Sequence, residues 1–353
     1  MPAGRPGGLL TSQPGLYAAC FAVAGAISFA LTPLVRRASL RMGLLDAPTS
    51  AVKTHTTPTP IFGGVAIWAG FVGAMLLLRF TTNFPTGTLY NLRSLVLGGT
   101  LVFLLGLADD LRRPEGLDYK PKFLVQFLAT ALLVLFGLRI HFVHPSWLAV
   151  AVTLVWVVGV TNSMNIIDIM DGLAASQAAV AATGFFLVSL PSQETYVRYA
   201  AAAVAGAAMG FLPWNLSKKH KVFMGDCGSL TLGFLLAGLS LGAHYSSFND
   251  VGVFAPLLIL FVPVFDTFFV SILRLNQGKS PFLGSKDHFA LRLETLGYSR
   301  GQVVAIAAVS AAVLSFCAFL ATQYPTKQAL AIYALVAAAL LWVGRRLSLV
   351  AMK

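Results

Sequence analysis

Eleven apolar stretches, each close in length to a membrane-spanning helix, constrain the fold of this chain more than any other feature. A bilayer core is crossed by roughly 20 helical residues, because in lipid every backbone polar group must be hydrogen-bonded within the protein. The sequence therefore predicts an all-α, polytopic integral membrane protein with eleven transmembrane helices. The stretches cover residues 15–35, 62–80, 94–109, 122–140, 147–164, 172–190, 197–214, 229–245, 251–273, 301–321 and 328–344.

Composition and charge agree with a membrane protein. Only 11% of the 353 residues are charged, against roughly 25% in a soluble domain. The net charge of +12 has two common causes, a nucleic-acid footprint and basic cytoplasmic loops. Nineteen of the 25 Lys and Arg residues lie in one set of alternate loops and the C-terminal tail. Because basic loops stay in the cytoplasm, we predict an outside N-terminus, a cytoplasmic C-terminus and no nucleic-acid partner.

The acidic residues gather on the same side as the basic ones. Eleven of the 13 lie there, and only Glu194 and Asp250 lie on the other side. Ionised groups at membrane depth are costly, so they are functional-site candidates by default. The sequence thus predicts one transmembrane domain over 1–353 with an active face on the cytoplasmic side. This face is predicted to comprise the loops 36–61, 109–122, 215–228 and 274–300.

Two acidic motifs follow apolar stretches. Asp109 and Asp110 end the third stretch, where adjacent carboxylates suit a cation or a proton to be moved, or a solvated helix end paired with Arg112 and Arg113. The second motif, TNSMNIIDIMDGLA, places polar residues every third position, so that neighbours share a helix face. Its polar groups require donors, a metal or a polar substrate, although Asp171 alone is explained by capping. The polar positions are Asn162, Asn165, Asp168 and Asp171.

Two further motifs suit phosphate chemistry. Gly225 and Gly228 flank Asp226 in a predicted tight turn, and Ser229 is the predicted N-cap of the following helix. A helix N-terminus beside a carboxylate suits a magnesium-bound phosphate. Asp266 lies inside the ninth stretch, where it requires a partner. The loop after it offers either donors for a diphosphate or simple positive-inside charge. Its basic residues are Arg274, Lys279, Lys286, His288 and Arg292.

Together these motifs, running from about 44 to 293, resemble the polyprenyl-phosphate N-acetylhexosamine-1-phosphate transferase family, which includes WecA- and TagO-type enzymes and, more distantly, MraY. The most specific segments are NSMNIIDIMDGLA and VFMGDCGSL. An extended segment favours the WecA/TagO branch, which also has eleven spans from outside to inside. It contains Asp46, Pro48, Lys53, His55, Pro58, Pro60, Gly63 and Gly64.

The resemblance implies transfer of a HexNAc-1-phosphate, GlcNAc-1-phosphate in the first instance, from a UDP-sugar to undecaprenyl phosphate with release of UMP. The reaction would be the first membrane step of a cell-envelope glycan, on the cytoplasmic face of the bacterial inner membrane. Mg²⁺ is the implied cofactor, with Mn²⁺ as an alternative. An MraY-like enzyme for UDP-muramyl peptide is the alternative activity, and a secondary transporter is the alternative from another class. A homodimer stays open.

The resemblance also implies residue roles. Catalytic roles fall to Asp109, Asp110, Asp226 and His288. Asp226 and Asn165 are the implied metal ligands. Substrate binding is implied for Lys53, His55, Lys122, Asn162, Asp168, Asp171, Asn215 and Arg292.

The sequence departs from the family pattern in three places. Ile169 replaces a glycine, and Ala290 and Leu291 stand where the family has two histidines. The segment after Asn215 is basic and one residue longer than usual, with His220 in place of the usual Pro-Ala. These departures predict a rearranged sugar or diphosphate pocket, or an altered activity.

Overall fold

The computed structural model describes residues 13–48, 57–81, 87–113, 115–191, 194–242, 245, 248–280 and 286–352. Over these ranges most residues are helical and very few lie in strands, which confirms the predicted all-α class. The helices are α1 (Gln13–Met42), α2 (Gly63–Thr81), α3 (Thr88–Leu111), α4 (Tyr119–Leu135), α5 (Ser146–Ile166), α6 (Leu173–Val188), α7 (Thr195–Asn215), α8 (Gly225–Gly242), α9 (Ala255–Ile259), α10 (Phe261–Asn276), α11 (Phe289–Thr295), α12 (Arg300–Gln323) and α13 (Thr326–Ser348).

Each apolar stretch of the sequence coincides with helix, and the ninth is broken. A short 3-10 helix, Asp250–Phe254, runs into α9, and the chain then bends by 71° before α10. Within the described ranges, seven helices are long and apolar enough to cross a membrane, and the bent pair makes an eighth candidate. The count of eleven spans and the orientation of the termini stay predictions.

Helix α8 lies at the centre of the bundle. Nearly all of its residues are buried, and it packs against α2, α3, α5, α6 and α7. Its contact with α3 is backbone to backbone at Gly106, where an added Cβ would lie 2.5 Å from the carbonyl carbon of Asp226. This glycine therefore brings the acidic end of α3 against the acidic start of α8.

A small antiparallel pair ties the first loop to the start of α8. Strand β1 (Leu45–Asp46) pairs with β2 (Thr59–Pro60), with Asp46 opposite Thr59. The segment before α8 continues the arrangement, since Phe223 N donates to Pro60 O at 2.9 Å. Gly64 N in turn donates to Met224 O at 2.8 Å. The first and third predicted cytoplasmic loops, 36–61 and 215–228, are thus joined by backbone hydrogen bonds.

The outer helices expose large apolar side chains. Leu341 and Leu335 of α13 are 76% and 73% exposed, and Phe80 at the end of α2 is 83% exposed. A soluble monomer rarely exposes so much apolar surface. This surface suits contact with lipid, as expected for a polytopic membrane protein.

Candidate active site

Three carboxylates from two helices form the centre of the site. Asp109 and Asp110 end α3, Asp226 lies in the first turn of α8, and one oxygen of each lies within 4.8 Å of the others. Asp109 and Asp110 are 5% and 1% exposed. The structure therefore brings together two motifs that are separated by more than a hundred residues in the sequence. We call these residues the carboxylate triad.

Asp110 holds the start of α8. Its Oδ1 accepts from Asp226 N at 2.9 Å and its Oδ2 accepts from Cys227 N at 3.0 Å. A carboxylate here satisfies N–H groups that have no partner within the helix and complements the positive end of its dipole. The prediction that Ser229 is the N-cap of α8 is wrong, because α8 begins at Gly225. Ser229 Oγ instead donates to Gly225 O inside the helix.

Two cationic side chains bridge the triad. Lys122 Nζ lies 2.8 Å from Asp109 Oδ1 and 3.0 Å from Asp226 Oδ2. Arg113 contacts three carboxylates, at 2.9 Å from Asp46, 3.1 Å from Asp110 and 3.4 Å from Asp226. Burial alone would lower the pKa of Arg113, but these carboxylates outweigh it and raise that pKa. Lys122 therefore lies at the triad, and its role in binding substrate stays a prediction.

Arg113 and Asp46 are site residues that the sequence reasoning missed. The sequence suggested Arg113 only as an ion-pair partner for carboxylates at a solvated helix end. Its spacing, three residues after Asp110, gave a signal, because residues at i and i+3 meet on one helix face. Its contacts with β1 and α8 had no local signal, since they depend on segments distant in the sequence.

The polar positions Asn162, Asn165, Asp168 and Asp171, which we call the polar ladder, run from the last turns of α5 into the loop after it. Asn162 Nδ2 donates to Gln126 Oε1 at 2.6 Å, and Asn165 Nδ2 donates to Ser229 Oγ at 2.9 Å. Asp171 forms an ion pair with Lys221. The basic segment that departs from the family pattern therefore neutralises the last acid of the ladder.

Asn215 connects the ladder to the segment before α8. Its Oδ1 accepts from Gly172 N at 2.5 Å, and its Nδ2 donates to Val222 O at 2.9 Å. The residue is 3% exposed. Both halves of the amide are thus used inside the protein, which gives Asn215 a positioning role beside the predicted substrate role.

Asp168 lies in the loop between α5 and α6, and the charge of the triad residue Asp226 affects its pKa. Burial is the largest cause that raises the pKa of its carboxyl group to about 7, and the charge of Asp226 adds to it. Arg113 acts in the opposite direction. Asp168 is therefore the ladder residue whose charge responds to pH near neutrality.

His288 and Arg292 hold a separate region together. His288 Nδ1 lies 2.7 Å from Asp266 Oδ2, and Phe289 N donates to Asp266 Oδ1 at 2.9 Å, so the buried acid has the partner it requires. Arg292 donates to Leu347 O in the last turn of α13 and to Val350 O just after that helix, and it pairs with Asp287. None of these partners belongs to the triad.

The remaining predicted positions divide into two groups. Ala290 and Leu291, which replace two histidines, are buried at 0% and 7% exposure and pack in the core. They therefore contribute apolar packing where the family pattern has imidazoles. Lys53 and His55 lie outside the described residues.

Comparison with known proteins decides the family. A protein of Bacillus subtilis (strain 168), named probable undecaprenyl-phosphate N-acetylglucosaminyl 1-phosphate transferase, is 31% identical over 285 residues, which cover 78% of this chain and 76% of that protein. The family model for glycosyl transferase family 4 matches residues 92–244. The chain belongs to glycosyl transferase family 4.

Other members of glycosyl transferase family 4 align over a similar length. The decaprenyl-phosphate N-acetylglucosaminephosphotransferase of Mycobacterium tuberculosis (strain ATCC 25618 / H37Rv) is 30% identical over 325 residues, with 83% of this chain and 79% of that protein covered. The undecaprenyl-phosphate alpha-N-acetylglucosaminyl 1-phosphate transferase of Escherichia coli (strain K12) is 24% identical over 299 residues, with 81% and 78% covered. The interval matched by the family model contains the triad and the polar ladder.

Proposed function

We propose that this protein transfers N-acetylglucosamine-1-phosphate from UDP-N-acetylglucosamine to undecaprenyl phosphate and releases UMP. The observation that carries the proposal is the carboxylate triad with its two bridging cations at the ends of apolar helices. The names of the relatives, which act on undecaprenyl and decaprenyl phosphates, support the acceptor and the sugar.

The proposed reaction is a single phosphoryl transfer. An oxygen of the lipid phosphate forms a bond to the β-phosphorus, and the bond from that phosphorus to the oxygen bridging the α-phosphate breaks. UMP leaves with the bonding electrons, and the sugar C1–O bond stays intact. Because the second pKa of a phosphate monoester lies near ~6, the acceptor is already mostly ionised at neutral pH. The chain therefore acts by positioning and charge neutralisation rather than by essential base catalysis.

The triad offers a donor set that fits Mg²⁺. The cation prefers carboxylate oxygens, and the three carboxylates outnumber the two cationic side chains that bridge them. Asp226 and Asp109 would hold the ion, with the amide oxygen of Asn165 as a further ligand. When bound, Mg²⁺ would neutralise charge on the diphosphate and on the leaving UMP.

The other residues take supporting roles in this proposal. Lys122 and Arg113 attract phosphate oxygens and keep the carboxylates at a fixed separation. Asp110 orients the start of α8 and hence Asp226. Asp266 bonds Nδ1 of His288, which leaves Nε2 as the ring nitrogen for a substrate phosphate. Arg292 contributes by positioning, since its guanidinium is bonded to backbone carbonyls.

The proposed location is the cytoplasmic face of a bacterial inner membrane. All of the triad and ladder residues lie on the side that carries 19 of the 25 basic residues. Positively charged loops remain in the cytoplasm, where UDP-sugars are available. The apolar outer surface of the helices provides room for the prenyl chain beside the triad.

The direct test measures UMP released by the purified protein in detergent with undecaprenyl phosphate, UDP-N-acetylglucosamine and MgCl₂. Replacing Asp226→Asn is expected to lower kcat by roughly 10²-fold or more, as for other charge-stabilising groups. Asp250→Asn, which removes an acid on the predicted outer side, is the matched control and is expected to retain activity. Chelation of divalent cations is expected to abolish UMP release.

Three outcomes would contradict the proposal. Absence of UMP with every UDP-HexNAc tested would exclude the transferase activity. Release of UMP only with UDP-N-acetylmuramoyl-pentapeptide would assign the MraY-like alternative. Full activity of Asp226→Asn at limiting magnesium would remove Asp226 from the metal site.

A further inference from the structure

A cavity of about 650 Å³ lies at the end of α10, and none of the triad residues lines it. One wall is the last turn of α10 with the residues that follow it, and the opposite wall is the chain after α13. The segment that begins at Lys286 closes a third side. The proposed transfer reaction uses none of the exposed residues of this cavity, so the reaction does not account for the cavity.

The lining of the cavity is strongly basic. Four of its residues are Lys or Arg, and Asp287 is the one acidic residue among the described lining residues. Asp287 is paired with Arg292, whose Nη2 lies 3.1 Å from its Oδ1. The net formal charge of the lining is therefore positive. The basic residues are Arg274, Lys279, Lys286 and Arg292.

The cavity adjoins apolar surface that faces outward. Ile272 and Leu275, on the same helix end as Arg274, are 55% and 61% exposed, and Phe268 one turn earlier is 63% exposed. Leu349, which lies in sequence between the lining residues Ser348 and Val350, is 73% exposed. Exposed apolar side chains of this size belong against lipid. Positive charge and an apolar surface thus meet at the cavity mouth.

Residues beside the cavity are of the types found at a membrane interface. Arg346 lies over the ring of Trp342 at 5.5 Å from its centroid, in the last turns of α13. Trp and basic residues together mark the boundary between hydrocarbon and head groups. Because the cavity includes residues just after this turn, its ligand is expected to have a charged head and apolar tails.

We propose that this cavity binds the phosphate head group of an anionic glycerophospholipid from the leaflet on the basic side of the protein. Lys279 and Lys286 contact the phosphate, and the acyl chains lie along Ile272 and Leu275. Basic pockets between transmembrane helices on the cytoplasmic side have this chemistry. Arg292 anchors one wall through its bonds to the last turn of α13 and the residues that follow it, so the lipid binds a site that the protein has already ordered.

Binding of dioleoyl phosphatidylglycerol to the full-length protein, titrated in detergent and read by native mass spectrometry, tests the proposal without reference to enzyme activity. Each basic residue near an anionic lipid contributes roughly a fivefold factor, so Lys279→Ala with Lys286→Ala is expected to weaken binding by roughly 25-fold. Lys279→Arg with Lys286→Arg keeps both charges and is expected to retain binding within twofold.

The matched control removes two charges from the same predicted face outside the cavity. Lys218→Ala with Lys219→Ala is expected to change phosphatidylglycerol binding by less than twofold. Dioleoyl phosphatidylcholine is expected to bind more weakly than phosphatidylglycerol to the unaltered protein. If both double-alanine variants lost phosphatidylglycerol binding equally, or if the two lipids bound equally well, general surface charge would explain the binding. Either result would overturn the proposal.

Two further experiments distinguish a lipid phosphate from inorganic phosphate and from the phosphates of the substrates. Inorganic phosphate at millimolar concentration is expected not to displace phosphatidylglycerol, and displacement would identify a free-anion site instead. In phosphatidylcholine nanodiscs the alanine pair at 279 and 286 is expected to leave KM for both substrates unchanged. A raised KM for UDP-N-acetylglucosamine or undecaprenyl phosphate there would assign the cavity to a substrate and contradict the lipid site.

Discussion

At the scale of single residues, Asp168 shows how the triad extends its influence beyond direct contacts. Burial first, and then the negative charge of Asp226, raise its pKa to about 7. An unfolded aspartate has a pKa near ~3.9. The folded protein therefore holds the proton more tightly than the unfolded chain does.

The sign of the stability effect follows from this difference. The stabilising contribution of the protonated Asp168 carboxyl group is complete at pH values below the pKa that this group has in the unfolded chain. It is lost as pH rises through about 7, the pKa in the folded protein. Asp168→Asn, which cannot ionise, is therefore expected to melt at a higher temperature than the unaltered protein at pH 8, by a few degrees. At pH 5 the difference is expected to be smaller or reversed.

The measurement is thermal unfolding of both proteins in detergent with a chelator, from pH 5 to pH 8. The chelator matters because a bound divalent cation would favour the ionised carboxylate. A difference in melting temperature that stays constant across this range would contradict the inferred surroundings of Asp168.

At the scale of elements, the approach of α3 to α8 depends on positions where no side chain fits. Gly225 has φ +70°, and an added Cβ would lie 2.4 Å from Asp110 Oδ2. Asp110 in turn holds the first N–H groups of α8. A side chain at position 225 would thus displace the carboxylate that orients Asp226.

Gly225→Ala is expected to lower the kcat of the proposed transfer by at least tenfold, and Gly43→Ala is its matched control. Gly43 has φ +68° and no atom within 4 Å of its added Cβ, so it carries the same backbone strain without the collision. That strain costs roughly 1–2 kcal/mol for an L residue. Both variants are expected to lose thermal stability from strain, Gly225→Ala more because of its collision with Asp110, and only Gly225→Ala is expected to lose activity. Equal activities would contradict the role given to Asp110.

Arg113 is the side chain through which three elements meet. Its guanidinium reaches carboxylates on β1, α3 and α8. An arginine serves here better than a lysine, because its planar fork offers several donors in fixed directions. The loop that contains β1 is therefore fixed to the triad by charge as well as by its backbone bonds to the segment before α8.

At the scale of the whole molecule, the charge asymmetry predicts which ends of the helices face the cytoplasm. Single cysteines placed at Lys218 and at Asp250, in a protein without its native cysteines, report the two sides. In intact cells a membrane-impermeant maleimide is expected to label the cysteine at 250 and to leave the cysteine at 218 unlabelled until the membrane is opened. Labelling in the reverse order, or of both positions in intact cells, would refute the predicted orientation.

Several features of the molecule were open to prediction because their signals are local. Helix positions follow from runs of apolar residues, and each predicted stretch coincides with helix. A shared active face for Asp109, Asp110 and Asp226 is predicted from the acids gathered at one end of the helices, and the family resemblance implies their catalytic roles. The need of Asp266 for a partner followed from the cost of an ionised group at membrane depth.

Other features required the tertiary structure, because a side chain's partner across the chain leaves no local trace. The sequence offered Arg113, Lys122 and Arg292 as similar cations. Folding brings the first two to the triad and directs Arg292 to backbone carbonyls at the C-terminal end of α13.

The sequence alone thus determined the membrane class and the helical segments, since apolar length is a property of neighbouring residues, and the type of chemistry was implied by the resemblance of its motifs to a family. Only the tertiary structure decided that Asp110 caps α8, that Asn215 joins the ladder to the segment before α8, and that Ser229 is not a cap. The physical reason is that a buried polar group must be satisfied by whichever donor or acceptor packing brings to it.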